Sequence, residues 1–214
     1  MNTIASGSWD TTIQIWSIRT GVKSMIINVG FQVLSLKIFN NGSYLASGLY
    51  NGQINIYNIV NGNVLITILR GHSNWVNDLV LINNGTLLAS SSSDNSIRIW
   101  NMTTYMQKLI LNGHVQPVFG LKLISLNILA SGSFDYTIKL WNITNGKLIR
   151  TLANHTGPIW WSLDLLSDGQ TLVSGSEDLT VKLWNWTTGQ CLNTVNTGLN
   201  ILSLATIKSM SFEI

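Results

Sequence analysis

Cysteine is nearly absent: Cys191 stands alone among 214 residues, so no disulfide can form within the chain. Three histidines and nine dispersed acids offer no metal-ligand spacing, so neither a metal nor a cofactor is expected. No Gly-rich phosphate loop, HExxH motif or Ca²⁺ loop occurs. Only two prolines leave little room for linkers, and 10% charged against 45% hydrophobic residues argues against disorder. Long apolar runs are missing too. Lys122 interrupts the most apolar stretch, short of the ~18 residues a membrane helix requires. Met1-Asn2-Thr3-Ile4 shows no basic segment followed by an apolar run. Neither a signal peptide nor a membrane span is therefore expected, which points to the cytoplasm or nucleus. Six Asn-x-Ser/Thr sequons, Asn84 and Asn142 among them, then read as a by-product of an Asn-rich composition. Net charge is +3, and the basic residues run from Arg19 to Lys208 without a cluster. A nucleic-acid binder concentrates them on one face, so no nucleic-acid partner is expected. Cys191 itself reads as a small buried apolar residue.

What is present is repetition. An aromatic residue followed by a small polar one recurs as Trp16-Ser17, Tyr57-Asn58, Trp100-Asn101, Trp141-Asn142 and Trp184-Asn185, at intervals of 41, 43, 41 and 43 residues. Two aliphatic residues, spaced two apart, precede each: Ile13/Ile15, Ile54/Ile56, Ile97/Ile99, Ile138/Leu140 and Val181/Leu183. Period-two alternation predicts a strand at each place. An earlier strand reads Ile4–Gly7, Leu45–Gly48, Leu88–Ser91, Leu129–Gly132 and Leu172–Gly175, followed by a turn carrying Asp10, Asn51, Asp94, Asp135 or Asp178. Further upstream, strands are predicted over Val33–Ile38, Val76–Leu81, Val118–Leu123 and Ile159–Leu165. Between these two strands lie Asn41-Gly42, Asn84-Gly85 and Asp168-Gly169, dipeptides that tolerate positive φ in tight hairpins. A fourth, outer strand is expected after Asn61-Gly62, Asn145-Gly146 and Thr188-Gly189. Each unit is thus a four-stranded antiparallel meander of roughly 40 residues. One such sheet exposes both faces, and radial stacking of several covers them.

These residues resemble the WD-repeat (WD40) family over nearly the whole chain. The family pairs a Gly-His dipeptide with a Trp-Asp some 25 to 30 residues later. Here Gly71-His72 goes with Trp100-Asn101, Gly113-His114 with Trp141-Asn142, and Asn154-His155 with Trp184-Asn185. Asn replaces the usual Asp throughout. The second repeat lacks the Gly-His pair near Val29-Gly30-Phe31 and carries Asn51 and Tyr57, so the second blade is expected to be the least regular. The implied fold is an all-β WD40-type propeller of about five blades, forming one domain over 1–214. Repeats fall near 1–29 (partial), 30–69, 70–111, 112–152, 153–195 and 196–214 (partial). The chain starts inside a repeat, while Asn200–Leu204 parallels Gln32–Leu36, the strand the first blade lacks. Two arrangements follow: a five-bladed ring closed by that strand, or a fragment of a longer, seven-bladed propeller. Exposed sheet edges favour the fragment.

Three repeats contain His, Ser and Asp, a set that could suggest a nucleophile with its base and orienter. The resemblance implies something else: a structural tetrad in each of these blades. The members are His72, Ser90, Asp94 and Trp100; His114, Ser131, Asp135 and Trp141; His155, Ser174, Asp178 and Trp184. A partly buried Asp needs donors, which His, Ser and Trp can supply in series. Three equivalent triads would be redundant, whereas three equivalent braces are what a repeat requires, so no enzymatic activity is expected.

The family also implies partner contacts at three positions per blade. One precedes the turn Asp (Trp9, Tyr50, Ser93, Phe134, Glu177). Two others lie three and five residues after the His (Trp75 and Asn77, Pro117 and Phe119, Pro158 and Trp160), with Leu34 aligned in repeat two. The set is rich in aromatics, which dominate interface hot spots. Trp9, Tyr50, Trp75, Phe119, Phe134 and Trp160 are therefore the candidate partner-binding residues. Trp161 and Trp186 read as core or outer-blade residues. The function expected is a scaffold that binds a protein or peptide partner around the channel mouth, as part of a larger chain or complex. A sugar-binding propeller, a hydrolytic propeller and a purely structural repeat block are the other readings.

Overall fold

Apolar alternation at this spacing puts apolar residues on both faces of each short sheet, and burying them requires one sheet to pack on another. The structure, a computed structural model, describes residues 3–60, 62 and 64–206. Asn61 and the last eight residues of the final partial repeat lie outside the described residues. The fold is all-β: five antiparallel sheets of propeller-blade type, with a single 3₁₀ turn at Asn83–Gly85 among the described residues. No helix of the described residues is long and apolar enough to cross a membrane.

Two compact units make up the chain. The first, Met1–Asn112, holds three sheets. Blade one has three strands: β1 (Thr3–Gly7), β2 (Thr12–Ser17) and β3 (Lys23–Asn28). Blade two has four: β4 (Val33–Phe39), β5 (Tyr44–Leu49), β6 (Ile54–Asn58) and β7 (Val64–Leu69). Blade three comprises β8 (Val76–Ile82), β9 (Leu87–Ser92), β10 (Ile97–Asn101) and β11 (Met106–Leu111). The second unit, Gly113–Ile214, holds two sheets. Blade four is β12 (Val118–Ser125), β13 (Ile128–Ser133), β14 (Thr137–Asn142) and β15 (Leu148–Ala153). Blade five is β16 (Leu163–Leu165), β17 (Thr171–Gly175), β18 (Thr180–Asn185) and β19 (Cys191–Asn196). Every sheet is a meander in which each strand pairs with the next.

Burial grades across each sheet. The second strands β5, β9, β13 and β17 are almost wholly buried; within the first unit, blades one and three cover the two faces of β5. Outer strands β7, β11 and β19 are largely exposed. Between blades one and two lie Ile13, Ile27, Val33, Leu45, Leu49 and Tyr57. Between blades two and three, Ile54, Ile56, Val76, Leu79, Leu88 and Trp100 do the same. In the second unit the layer includes Ile138, Leu140, Ile159, Leu163, Leu172 and Trp184.

Close approach of blades depends on glycine at one strand position. A Cβ on Gly48 would overlap Val76, and one on Gly132 would overlap Ile159. The carboxy-terminal segment repeats this contact. Ile201 sits over Gly175, with its N–H donating to Ser176 O at 3.2 Å, as Val33 N–H donates to Ser8 O at 3.1 Å. Among the described residues of that segment, only an isolated parallel bridge, Trp161 with Ser203, forms instead of a full strand.

Two sequence expectations need correction. The second blade is a complete four-stranded sheet, no less regular in its backbone than its neighbours. Strand pairing needs backbone groups and apolar filling, and repeat two retains both. Blade five is the irregular one. Its inner strand spans only Leu163–Leu165 instead of Ile159–Leu165. In the other four-stranded blades the inner strand carries one bulged residue near its start: Leu34, Asn77 or Phe119. Blade five has one residue more at this place. Leu163 pairs with Ser174 just as Leu121 pairs with Ser131, but Ile159 stands four residues before Leu163 whereas Val118 stands three before Leu121. The hairpin at Asp168-Gly169 also differs: Gly169 takes φ 67° while Asp168 does not enter the left-handed region. Asp168 instead accepts bonds from the N–H groups of Gln170 and Thr171 at 2.8 and 2.9 Å.

Candidate functional site

The link into each His-bearing blade and the turn between its second and third strands meet at one end of the sheet. There, three hydrogen-bonded chains repeat with nearly the same geometry. In blade three, His72 Nδ1 lies 2.8 Å from Asp94 Oδ2, His72 Nε2 lies 2.7 Å from Ser90 Oγ, and Trp100 Nε1 donates to Ser90 Oγ at 2.8 Å. In blade four, the distances for His114, Asp135, Ser131 and Trp141 are 2.7, 2.8 and 2.8 Å. In blade five, those for His155, Asp178, Ser174 and Trp184 are 2.7, 2.7 and 2.8 Å. A carboxylate only accepts, so Nδ1 carries the proton and Nε2 accepts from the serine hydroxyl. Each imidazole also stands near-perpendicular or tilted to its Trp ring, about 6 Å away.

The aspartate is the hub. Its second oxygen, Oδ1, accepts from the N–H and hydroxyl two residues on. The distances are 2.9 and 2.6 Å for Asp94 with Ser96, 3.0 and 2.6 Å for Asp135 with Thr137, and 3.0 and 2.6 Å for Asp178 with Thr180. Oδ2 takes one more bond, from the N–H following the His: Ser73, Val115 or Thr156. The serine two residues before the Asp accepts from the Asp N–H: Ser92 at 3.0 Å, Ser133 at 3.1 Å, Ser176 at 3.1 Å. These flanking hydroxyls escaped the sequence reading, although Ser-x-Asp-x-Ser/Thr stands in four repeats and would have found them.

Electrostatics follow from this wiring. Burial alone would raise the carboxyls of Asp94 and Asp135, but the bonds from His72 and His114 and from the turn groups outweigh it and hold both well below the usual range. Asp178 is held at about 2, where bonds from Thr180, Thr156 and His155 likewise overcome burial. Burial pushes the imidazoles of His114 and His155 down, against the pull of their aspartates, and favours the neutral ring. Ser90, Ser131 and Ser174 have no exposed surface, so no substrate reaches these hydroxyls.

Blades one and two keep only parts of the pattern. Trp16 Nε1 still donates to Ser6 Oγ at 2.9 Å, and Asp10 still binds Thr12, but no His links them. In blade two, Asn55 Nδ2 donates to Tyr57 Oη at 2.9 Å, while Asn51 Oδ1 accepts from Gln53 N–H at 3.1 Å.

The candidate partner-binding aromatics gather into one group in each unit, at the tetrad end of the blades. In the first, Trp9 meets Tyr50 edge-on at 6.0 Å, and Tyr50 stacks on Trp75 at 4.2 Å. Trp9 is 65% exposed. In the second, Phe134 stands at 88° to Trp160 at 5.0 Å, and both rings touch Phe119. Phe119, 7% exposed, forms the floor of this group instead of its surface. Asn77 and Ser93 bond to each other at 3.0 Å, and Trp160 Nε1 donates to Glu177 Oε1 at 2.8 Å.

Trp161 departs from the expected core or outer-blade place. The additional bulged residue of blade five turns it outward: it stacks on Trp160 at 5.7 Å, touches Phe119 at 5.3 Å and is 40% exposed. Trp186 behaves as expected, packed against the core of the second unit with its indole N–H on Gly169 O at 3.0 Å.

No curated protein matches the chain. The family model described as WD domain, G-beta repeat, matches residues 1–17, 63–101, 106–142 and 146–185, more than half of the sequence. The gap over repeat two coincides with the blade that has neither a His nor an Asp in its tetrad. With five antiparallel blades, three Asp-His-Ser-Trp chains and these matches, the chain belongs to the WD40 repeat family.

Proposed function

We propose that this chain is a non-catalytic scaffold that binds a protein or peptide partner through aromatic side chains at the tetrad end of its blades. The observation that carries this reading is the clustering of rings at that end, with Trp9 and Trp161 exposed and the others half-buried: Trp9, Tyr50 and Trp75 in one unit, Phe134, Trp160 and Trp161 in the other. Soluble proteins leave few large rings grouped at the surface without use. Such rings offer wide contact area at little rotamer cost and dominate binding energy where they occur. The tetrads, with their buried hydroxyls, serve in this reading as braces that hold the turns bearing Ser93, Phe134 and Glu177, while the Trp9 turn keeps only its Asp10–Thr12 bonds. A single domain with repeats over 30–69, 70–111, 112–152 and 153–195 and partial ones at either end goes with it. So does a cytoplasmic setting, where the unpaired Cys191 stays reduced.

Affinity capture from cell extract with quantitative mass spectrometry tests the proposal. Trp9→Ala combined with Phe134→Ala should lower recovery of the main captured protein at least tenfold, with circular dichroism unchanged. Undiminished capture by the double variant would place the binding surface elsewhere.

A further inference from the structure

The other end of the blades in the first unit carries a second feature. Three turns there enclose a cleft of about 280 Å³. Phe39, Asn40 and Tyr44 come from the hairpin between β4 and β5, Asn84 from the turn after β8, and Thr103 and Tyr105 from the turn after β10. All belong to blades two and three, far along the strands from the tetrad of blade three.

We propose that this cleft binds one ring of a neutral saccharide. Four observations carry the inference. First, no residue lining the cleft bears a charge, so neither a phosphate nor an ammonium would find a counter-ion. Second, the cleft has an aromatic wall. Tyr44 stacks on Phe39 at 5.5 Å and 26°, and Phe39 is buried in the core, which fixes the Tyr44 ring as the layer facing the cleft. A rigid ring suits the flat C–H face of a pyranose, which is apolar at the carbons and polar only at its edge. Third, beside Met102 and Gly85, the rest of the wall consists of amides and hydroxyls. Asn40, Asn84 and Thr103 are exposed, and an amide offers a donor and an acceptor side by side, the pattern that adjacent sugar hydroxyls require. Fourth, Tyr105 holds a bulky side chain at φ 57°, a conformation uncommon outside Asn and Gly. Burial and the neighbouring Tyr44 push its phenol up, so it stays a neutral donor at physiological pH. A few convergent polar groups around an aromatic surface is the general composition of a small-ligand site. The volume admits one ring and not a folded peptide.

Saturation-transfer NMR on the full chain tests this. The probes are the methyl glycosides of glucose, galactose, mannose and N-acetylglucosamine, with adenosine and inorganic phosphate as separate arms. Transfer to the ring protons of at least one glycoside is expected, with millimolar affinity. Asn84→Gly, which removes the amide and keeps the left-handed turn at φ 53°, and Tyr44→Ala should each weaken it at least tenfold. Trp9→Ala with Phe134→Ala should leave it unchanged, which separates this site from the protein-binding surface. Transfer to no glycoside, binding of adenosine or phosphate alone, or glycoside binding that survives both Asn84→Gly and Tyr44→Ala would overturn the proposal.

Discussion

His114 Nδ1 and Asp135 Oδ2 lie 2.7 Å apart, in surroundings that leave 1% of one side chain and 6% of the other exposed. Asp135 also receives the N–H and hydroxyl of Thr137 and the N–H of Val115. Asp135→Ala strands four donors in a nearly dry site. It is expected to lower stability by about 1–3 kcal/mol, the cost of leaving buried polar groups without partners. Urea denaturation checks this, and a midpoint equal to that of the parent would show that the wiring contributes nothing.

The same wiring sets a pH dependence. Folded His114 and His155 sit below the ordinary 6.5, so the unfolded chain binds more protons as pH falls through that value, and stability drops. Folded Asp178 sits at about 2 against 3.8, and stability falls again as pH moves from the ordinary carboxylate range toward 2. Both shifts have the same sign. The unfolding midpoint should be flat from pH 8 to 7, decline below about 6.5 and fall further below about 4. A midpoint constant from pH 8 to 3 contradicts the assigned protonation states.

Glycine positions divide by what surrounds them. Gly52 has φ 84°, and a Cβ there would lie 2.6 Å from His72 O and 3.0 Å from Asn74 O. Gly21 has φ 66° with nothing within 4 Å. Gly21→Ala should cost about 1–2 kcal/mol, the left-handed penalty alone. Gly52→Ala should cost about 2–5 kcal/mol, since overpacking against fixed backbone adds about 1–3 kcal/mol to the same penalty. Equal losses in thermal unfolding would refute the steric account.

A residue follows each turn Asp in the left-handed region: Thr11 at φ 72°, Asn95 at 70°, Tyr136 at 68°, Leu179 at 67°. Only Asn95 suits that conformation. Thr11→Asn should stabilise the chain by about 0.5–1 kcal/mol, because a β-branched residue is strained there and Asn is tolerated. A lower melting temperature for Thr11→Asn would show that the Thr11 side chain makes a contact outweighing the strain.

Much of the fold was legible because backbone pairing and burial follow the local pattern. Ile97/Ile99 and Val181/Leu183 mark their strands by alternation alone. The three Asp-His-Ser-Trp chains were legible only through a family resemblance, since His72 and Asp94 are 22 residues apart and nothing in the local pattern brings them together. Trp161 was misplaced because a one-residue insertion shifts the face of everything before the next paired residue, and two adjacent tryptophans give no sign of which is bulged. The cleft beside Tyr44 and Tyr105 left no motif, as its walls come from three turns that are distant in sequence.

The amino-acid order by itself determines where the strands lie, which turns must admit positive φ and which residues repeat, because these depend on side-chain period and on the conformations that nearby residues permit. Which hydroxyls satisfy Asp135, how deep Phe119 sits and which way Trp161 faces are decided by tertiary structure alone. These depend on which blade packs against which, and a buried carboxylate or a bulged ring takes its energy from neighbours that the local sequence does not contain.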